Sequence, residues 1–226
     1  MEPDKIGRNI LSIDCAVGRG SVAVLRDEEV LAFNEPDRDP ARAEQVLSVV
    51  ESVIYGAGLS LREITMIAVS TGPGSYSGIR IGLATALGLG NALSIRPHGV
   101  SALDAIALTA DANNGKLVTA VAVGKRHSAW SSFDVSPEGP KLLSEPVLQT
   151  DKDFLSSLET TGRATLLCCD DLARRIGGAI ANDIELTGLK RTIAESIGIF
   201  AARRPGSTSL DPIYLRDQAQ KTGTIA

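Results

Sequence analysis

The sequence predicts an α/β protein of two related lobes, and three observations carry that reading. Short apolar runs of strand length alternate with segments of helical period. The order of strands first, then helices alternating with strands, occurs twice along the chain. One apolar run, residues 64–70, leads into a glycine-rich turn that opens directly into a helix. At 226 residues the chain has room for one large domain or two lobes of about a hundred residues each. Asn113-Asn114-Gly115 marks the expected boundary, giving an N-terminal lobe of 1–112 and a C-terminal lobe of 113–226.

In the first lobe, residues 9–16, 20–25 and 30–33 read as three strands, and such close connections make them antiparallel. Asp39-Pro40 opens a helix, with Asp capping exposed amides and Pro at the first position, where no amide partner is lost. Along it Ala43, Val46, Leu47, Val50, Val53, Ile54 and Ala57 share one face, Tyr55 and three polar residues lie opposite, and Gly56 and Gly58 end it. The run 64–70 suits a central strand covered on both sides. A second helix, about 77–93, repeats Gly78, Gly82, Ala86 and Gly90 every four residues. Each helical glycine costs about 1 kcal/mol relative to alanine. The stripe therefore demands a close neighbour, either the lobe's own sheet or a helix of another subunit.

Ser101 or Asp104 opens a third helix to about Asp111. The second lobe shows strands at 117–123, 128–135, 142–148 and 164–168, with helices at 152–158, 170–181 and 189–203. Residues 204–226, with two prolines and little periodicity, read as a tail laid back on the body.

The glycine-rich turn has the architecture of a phosphate site. Glycines permit close backbone approach, Ser75 or Ser77 can cap the helix, and the first helical amides attract an anion. It is neither of two familiar loops: no Gly-Lys-Ser/Thr follows, and Ser77 stands where a dinucleotide fingerprint has its third glycine. The only histidines, His98 and His127, are not a helical pair, and Cys15, Cys168 and Cys169 form neither a metal spacing nor a disulfide framework. His98 reads as a strand-end imidazole and His127 as a surface turn residue. Asp14 closes the first strand, where a turn aspartate bonds the amides of Ala16 or Val17. A net charge of -4 argues against direct, phosphate-dominated RNA binding. No apolar run nears the roughly 18 residues of a bilayer span. Met1-Glu2-Pro3-Asp4-Lys5 does not read as a secretion signal, and a reducing cytoplasm is expected.

The string Gly72-Pro73-Gly74-Ser75-Tyr76-Ser77-Gly78-Ile79-Arg80-Ile81-Gly82 resembles the Gly-Pro-Gly-Ser-Phe-Thr-Gly-Leu/Val-Arg-Ile-Gly signature of the TsaB (YeaZ) family, with Tyr76 and Ser77 as conservative departures. Ile13-Asp14, Gly99-Val100-Ser101-Ala102-Leu103 and Pro212-Ile213-Tyr214-Leu215-Arg216 match in order and spacing, so the likeness covers nearly the whole chain. It implies an actin/Hsp70/sugar-kinase-like (ribonuclease H-like) fold. The implied role is a non-catalytic scaffold for a TsaD-like subunit, which places threonylcarbamate on the tRNA adenosine next to the anticodon. Helices 41–57 and 77–93 are then the interface, through Val46, Val50, Val53, Gly78, Gly82, Ala86 and Gly90.

The resemblance further implies a TsaE-like ATPase joining through the complex, a homodimer when the chain is alone, tRNA contacted only indirectly, and no membrane. No intrinsic cofactor is expected, with ATP or ADP at the partner interface. Asp14, which in a kinase-like fold faces the nucleotide's metal, forms with Gly72, Gly74 and Ser75 the candidate nucleotide-binding set. Two departures stand out. Val123-Gly124-Lys125 replaces an expected Asp-Ala-Arg, and Ser101 and Ala105 stand where catalytic relatives carry a His-x-x-x-His metal pair. No catalytic or metal-binding residue is expected. Rival readings are a glycoprotease-like metallopeptidase, which the missing histidines oppose, a small nucleotide-dependent kinase, which the missing acidic set opposes, and a homodimeric binding module.

Overall fold

The computed structural model describes residues 7–34, 45–111, 114–206 and 209–216. The expected helix start at Asp39-Pro40 and the boundary residue Asn113 lie outside them.

Both lobes are built on one plan. In the first, β1 (Asn9–Asp14), β2 (Ser21–Arg26) and β3 (Glu29–Phe33) pair antiparallel in succession, while β4 (Met66–Gly72) and β5 (His98–Ser101) add parallel on the far side of β1. The order is β3-β2-β1-β4-β5. In the second, β6 (Gly115–Val123), β7 (His127–Ser136) and β8 (Gly139–Thr150) are antiparallel, and β9 (Ala164–Cys168) and β10 (Ile184–Gly188) add parallel beside β6. That order, β8-β7-β6-β9-β10, repeats the first.

Tight turns suffice for the antiparallel pairs, whereas parallel neighbours need a crossover helix. α1 (Val46–Gly56) and α2 (Tyr76–Leu93) provide it in the first lobe, α4 (Asp151–Thr161) and α5 (Asp170–Ile176) in the second. The repeat is the actin/Hsp70/sugar-kinase-like fold that the resemblance implied.

The last helix of each lobe crosses to the other. α3 (Ala102–Leu108) follows β5 yet packs on β6, and α6 (Ile193–Arg203) follows β10 yet lies on β1 and β2, with α3 and α6 against each other between the sheets. The strands show the alternation this requires. Ile10 of β1 and Leu117 and Val121 of β6 face the shared central core, while Leu11 and Ile13 face α1, and Val118 and Ala120 face the cluster around Phe154. α6 is buried from Ile193 through Ala202, which suits an apolar helix covered on all sides.

The sequence reading missed β10 altogether. It ran α5 on to Ala181, but the helix ends at Ile176 and a single 3-10 turn follows at Gly177–Ala179, where two consecutive glycines weaken the helix. α6 starts at Ile193 instead of Leu189, because Thr192 and Glu195 form a reciprocal capping box there. Among the described residues no helix is long and apolar enough to cross a membrane.

Candidate functional site

β4 is buried along its whole length and ends at Gly72, whose φ of +100° suits glycine. The chain turns through Pro73 and Gly74 into α2, where Ser75 caps the helix by accepting a hydrogen bond on Oγ from the amide of Gly78 at 3.3 Å. What crowds this turn is the chain's own backbone. A Cβ on Gly74 would sit 2.3 Å from the carbonyl oxygen of Ala16, and one on Gly78 1.9 Å from that of Cys15. The Ser75 amide donates to the Ala16 carbonyl at 2.7 Å. The glycines thus seat α2 on the turn that follows β1.

Asp14 governs that turn from below. It is wholly buried, and its carboxylate accepts from the amides of Ala16 at 3.0 Å and Val17 at 3.3 Å, as well as from the Ser70 side chain. Ser70 Oγ in turn accepts from the Gly72 amide at 3.3 Å, so one chain of hydrogen bonds joins the two turns. Burial raises the carboxyl to a pKa of about 6 against the lowering effect of these bonds. Its neighbour Cys15 is pushed up to about 12, first by burial and then by the charge of Asp14.

The structure therefore brings Asp14, Gly72, Gly74 and Ser75 together, but each is engaged by the chain itself. Asp14 holds amides, Gly74 is covered by Ala16, Ser75 caps α2, and the space beside Gly72 belongs to Ile79, 2.7 Å from a would-be Cβ. Of the set, Gly74 and Ser75 also line open space. This is a cleft of about 520 Å³ between the lobes, walled by Ala16, Gly74 and Tyr76 on one side and Val123, Gly124 and Leu148 on the other.

The positions that would carry metal chemistry have other duties. Ser101 caps α3 through the Asp104 amide at 3.3 Å, and Ala105 is completely buried, so the residues here do not fit a metal pair. His98 starts β5 and His127 starts β7, on different sheets. Among the described residues no three His, Cys, Asp or Glu side chains gather as a metal site. Val123 ends β6, and Gly124, with φ of +59°, makes the turn into β7. The Gly124 carbonyl is held by Arg175 at 3.0 Å.

The glycine-spaced stripe and its companion valines correct the expected docking face. Val46, Val50 and Val53 are buried against Leu11, Ile13, Ile67 and Val69 of their own sheet. Gly78, Gly82, Ala86 and Gly90 are buried too, with a Cβ on Gly82 falling 3.5 Å from Val69. The close neighbours demanded by the stripe are the chain's own: the turn after β1 at Gly78, the first sheet at Gly82, and the Ile95–Pro97 connection after α2 at Gly90. Leu47, read as part of the buried face, lies 60% exposed, joined outside by Tyr55 at 85% and Leu87 at 44%. Leu47 and Tyr55 border an apolar groove of about 400 Å³ lined also by Ile54, Leu59, Leu61 and Leu89 of α2. The signal in the sequence was Tyr55 and Leu87 themselves, two large apolar residues off the buried stripe of otherwise amphipathic helices.

Residues 39–152 match the family model described as TsaD: tRNA N6-adenosine threonylcarbamoyltransferase. The tRNA threonylcarbamoyladenosine biosynthesis protein TsaB of Escherichia coli (strain K12) is 32% identical over 133 residues, 58% of this chain and 57% of that protein. The protein of the same name from Bacillus subtilis (strain 168) is 31% identical over 98 residues, 43% of each chain. These matches span about half the length of the curated relatives. YeaZ from Pseudomonas aeruginosa superposes with a TM-score of 0.70 at 19% identity, over 92% of this chain and 100% of that one, a likeness of fold.

Proposed function

The chain belongs to the TsaB (YeaZ) branch of the threonylcarbamoyltransferase family, and from that premise we propose that it is a non-catalytic scaffold in tRNA threonylcarbamoyladenosine biosynthesis, docking a TsaD-like catalytic subunit. The observation that carries the reading is the outward apolar surface of α1 and α2, where Leu47 and Tyr55 line a groove and Leu87 lies exposed on α2. Exposed apolar surface of this kind marks a contact with another protein. When the catalytic partner is missing, the same face pairs two copies of the chain.

The functional groups of the fold's usual site support a scaffold over an enzyme. Asp14 serves the turn, and Ser101 and Ala105 serve α3. ATP or ADP belongs in this reading to the partner's side of the junction, and a TsaE-like ATPase joins through the complex. The formal charge of -4 supports leaving tRNA to the partner. In this reading the chain works in the cytoplasm.

Co-expression with the matching TsaD-like subunit, followed by size exclusion and an assay for the modified nucleoside, tests the proposal. Both proteins are expected to co-elute and the modification to require both. Replacing Leu47 and Tyr55 together by Glu is expected to weaken association at least about tenfold, because charge is buried against an apolar partner, while leaving the melting temperature unchanged. Full modification in the absence of this chain would overturn the reading.

A further inference from the structure

Three stretches far apart in the sequence meet on one track: the glycine-rich turn with α2, the segment beginning at Gly99, and the closing Pro212-Ile213-Tyr214-Leu215-Arg216. The carbonyl of Ser209 passes Gly99 so closely that a Cβ there would lie 1.8 Å from its oxygen. Leu210 then packs with the core of α1 and α2. The β4–β5 ladder pairs Ser70 with Val100 and Gly72 with Ser101 but skips Thr71, and the Thr71 carbonyl accepts the amide of Ile213 at 2.8 Å. Tyr214 packs against Tyr76 with ring centroids 4.7 Å apart and planes tilted by 41°. Arg80 lies 4.0 Å over the Tyr76 ring and donates from Nε to the Tyr214 hydroxyl at 3.3 Å. Leu215 packs on the central core, and Ile213, Tyr214 and Leu215 form a wall of the inter-lobe cleft.

A tail that merely rested on the body would need no such accommodation. Here one residue must be glycine to let the segment pass, one carbonyl is left out of a ladder to receive it, and one guanidinium clamps an aromatic pair across it. We propose that residues 209–216 are the resident occupant of the glycine-rich turn, a peptide latch that fastens the first turns of α2 to β4 and forms one wall of the cleft. Arg80 and Tyr76 are its receiving residues. The latch would hold whether or not the chain docks a catalytic partner.

Amide hydrogen exchange on the full chain, followed by NMR, tests this. In the native protein the Ile213 amide is expected to exchange at least about 100-fold more slowly than in a free peptide, as a hydrogen bond in a cooperative unit requires. Tyr214→Ala is expected to speed exchange at Ile213 and through residues 71–79 by about tenfold or more, while residues 117–121 of the second sheet keep their protection. Arg80→Ala should act in the same direction. An Ile213 amide exchanging at the free-peptide rate in the unaltered protein would overturn the proposal, and that measurement stands even where a variant fails to fold. Release of Ile213 in Tyr214→Ala with no change at 71–79 would overturn it equally, since the segment would then be a passenger.

Discussion

Arg175 on α5 grips Asp151, the first residue of α4, with two hydrogen bonds, Nε to Oδ2 at 3.0 Å and Nη2 to Oδ1 at 2.5 Å. The same guanidinium donates to the carbonyls of Gly124 at 3.0 Å and His127 at 2.9 Å, so one side chain ties α4, α5 and the β6–β7 turn. Both partners are mostly sheltered, at 18% and 23% exposure. Arg175→Ala leaves the Asp151 carboxylate with the Ser128 hydroxyl at 2.8 Å but without its ion pair, removes a donor from two carbonyls, and is expected to cost about 2–4 kcal/mol of unfolding free energy by denaturant titration. Arg175→Lys should recover only part, because a point ammonium cannot reproduce the fork.

The pH dependence of stability should carry the mark of Asp14. Its carboxyl is raised from 3.8 to about 6 in the folded chain, chiefly by burial. The folded state therefore holds the proton more tightly than the unfolded one. This stabilising contribution is complete below the unfolded value and is lost as pH rises through the folded one. Asp14→Asn removes the titration. The stability of the native protein relative to this variant is expected to fall by up to about 3 kcal/mol between about pH 4 and pH 7. Parallel curves for the two proteins would show that Asp14 does not titrate in this range.

Two glycines of α2 should respond in opposite directions to alanine. At Gly78 the added carbon would meet the Cys15 carbonyl at 1.9 Å, whereas at Gly88 nothing lies within 4 Å. Gly88→Ala is expected to stabilise by up to about 1 kcal/mol, the helix-propensity difference. Gly78→Ala forces α2 off the turn and should destabilise by about 3 kcal/mol or more. Thermal melts of the two variants separate the effects directly.

Thr119 and Ser131 stand directly opposite each other on β6 and β7, and both hydroxyls are buried with no hydrogen-bond partner among the described residues. Buried hydroxyls without partners carry a desolvation cost. Thr119→Val, which exchanges the hydroxyl for a methyl of similar size, is expected to raise stability by about 1 kcal/mol, read as a shift of the denaturation midpoint at constant slope.

Much of the fold was legible because it is written in local patterns. The continuous apolar run into Gly72 marked the central strand β4, and the double sequence of hairpins followed by crossovers marked two lobes. β10 escaped because Ile184-Glu185-Leu186-Thr187-Gly188 is a five-residue edge strand whose alternation is too short to separate from the helix signals around it. At the candidate site, Asp14 and its amides were visible as a turn, and the glycine stripe was visible as a demand for close contact. Which body met that contact was not, since spacing fixes the face of a helix and not its neighbour. Leu47 shows the same limit: it lies one residue past buried Val46, so about 100° of rotation carries it from the core into solvent. The meeting of Arg80 with Tyr214 lay beyond any local pattern, because only the folded chain brings the two motifs together.

The exchange of α3 and α6 makes the two halves mutually dependent. A polypeptide cut at residue 112 would keep α1 and α2 on one side of its sheet but strip Ile10 and Leu25 of the buried helix that covers them, and the complementary fragment would leave Leu117 and Val121 bare where α3 had lain. Neither fragment would be an independent folding unit, and the intact molecule should melt in a single cooperative step despite its bilobal outline. Each half completes the interior of the other.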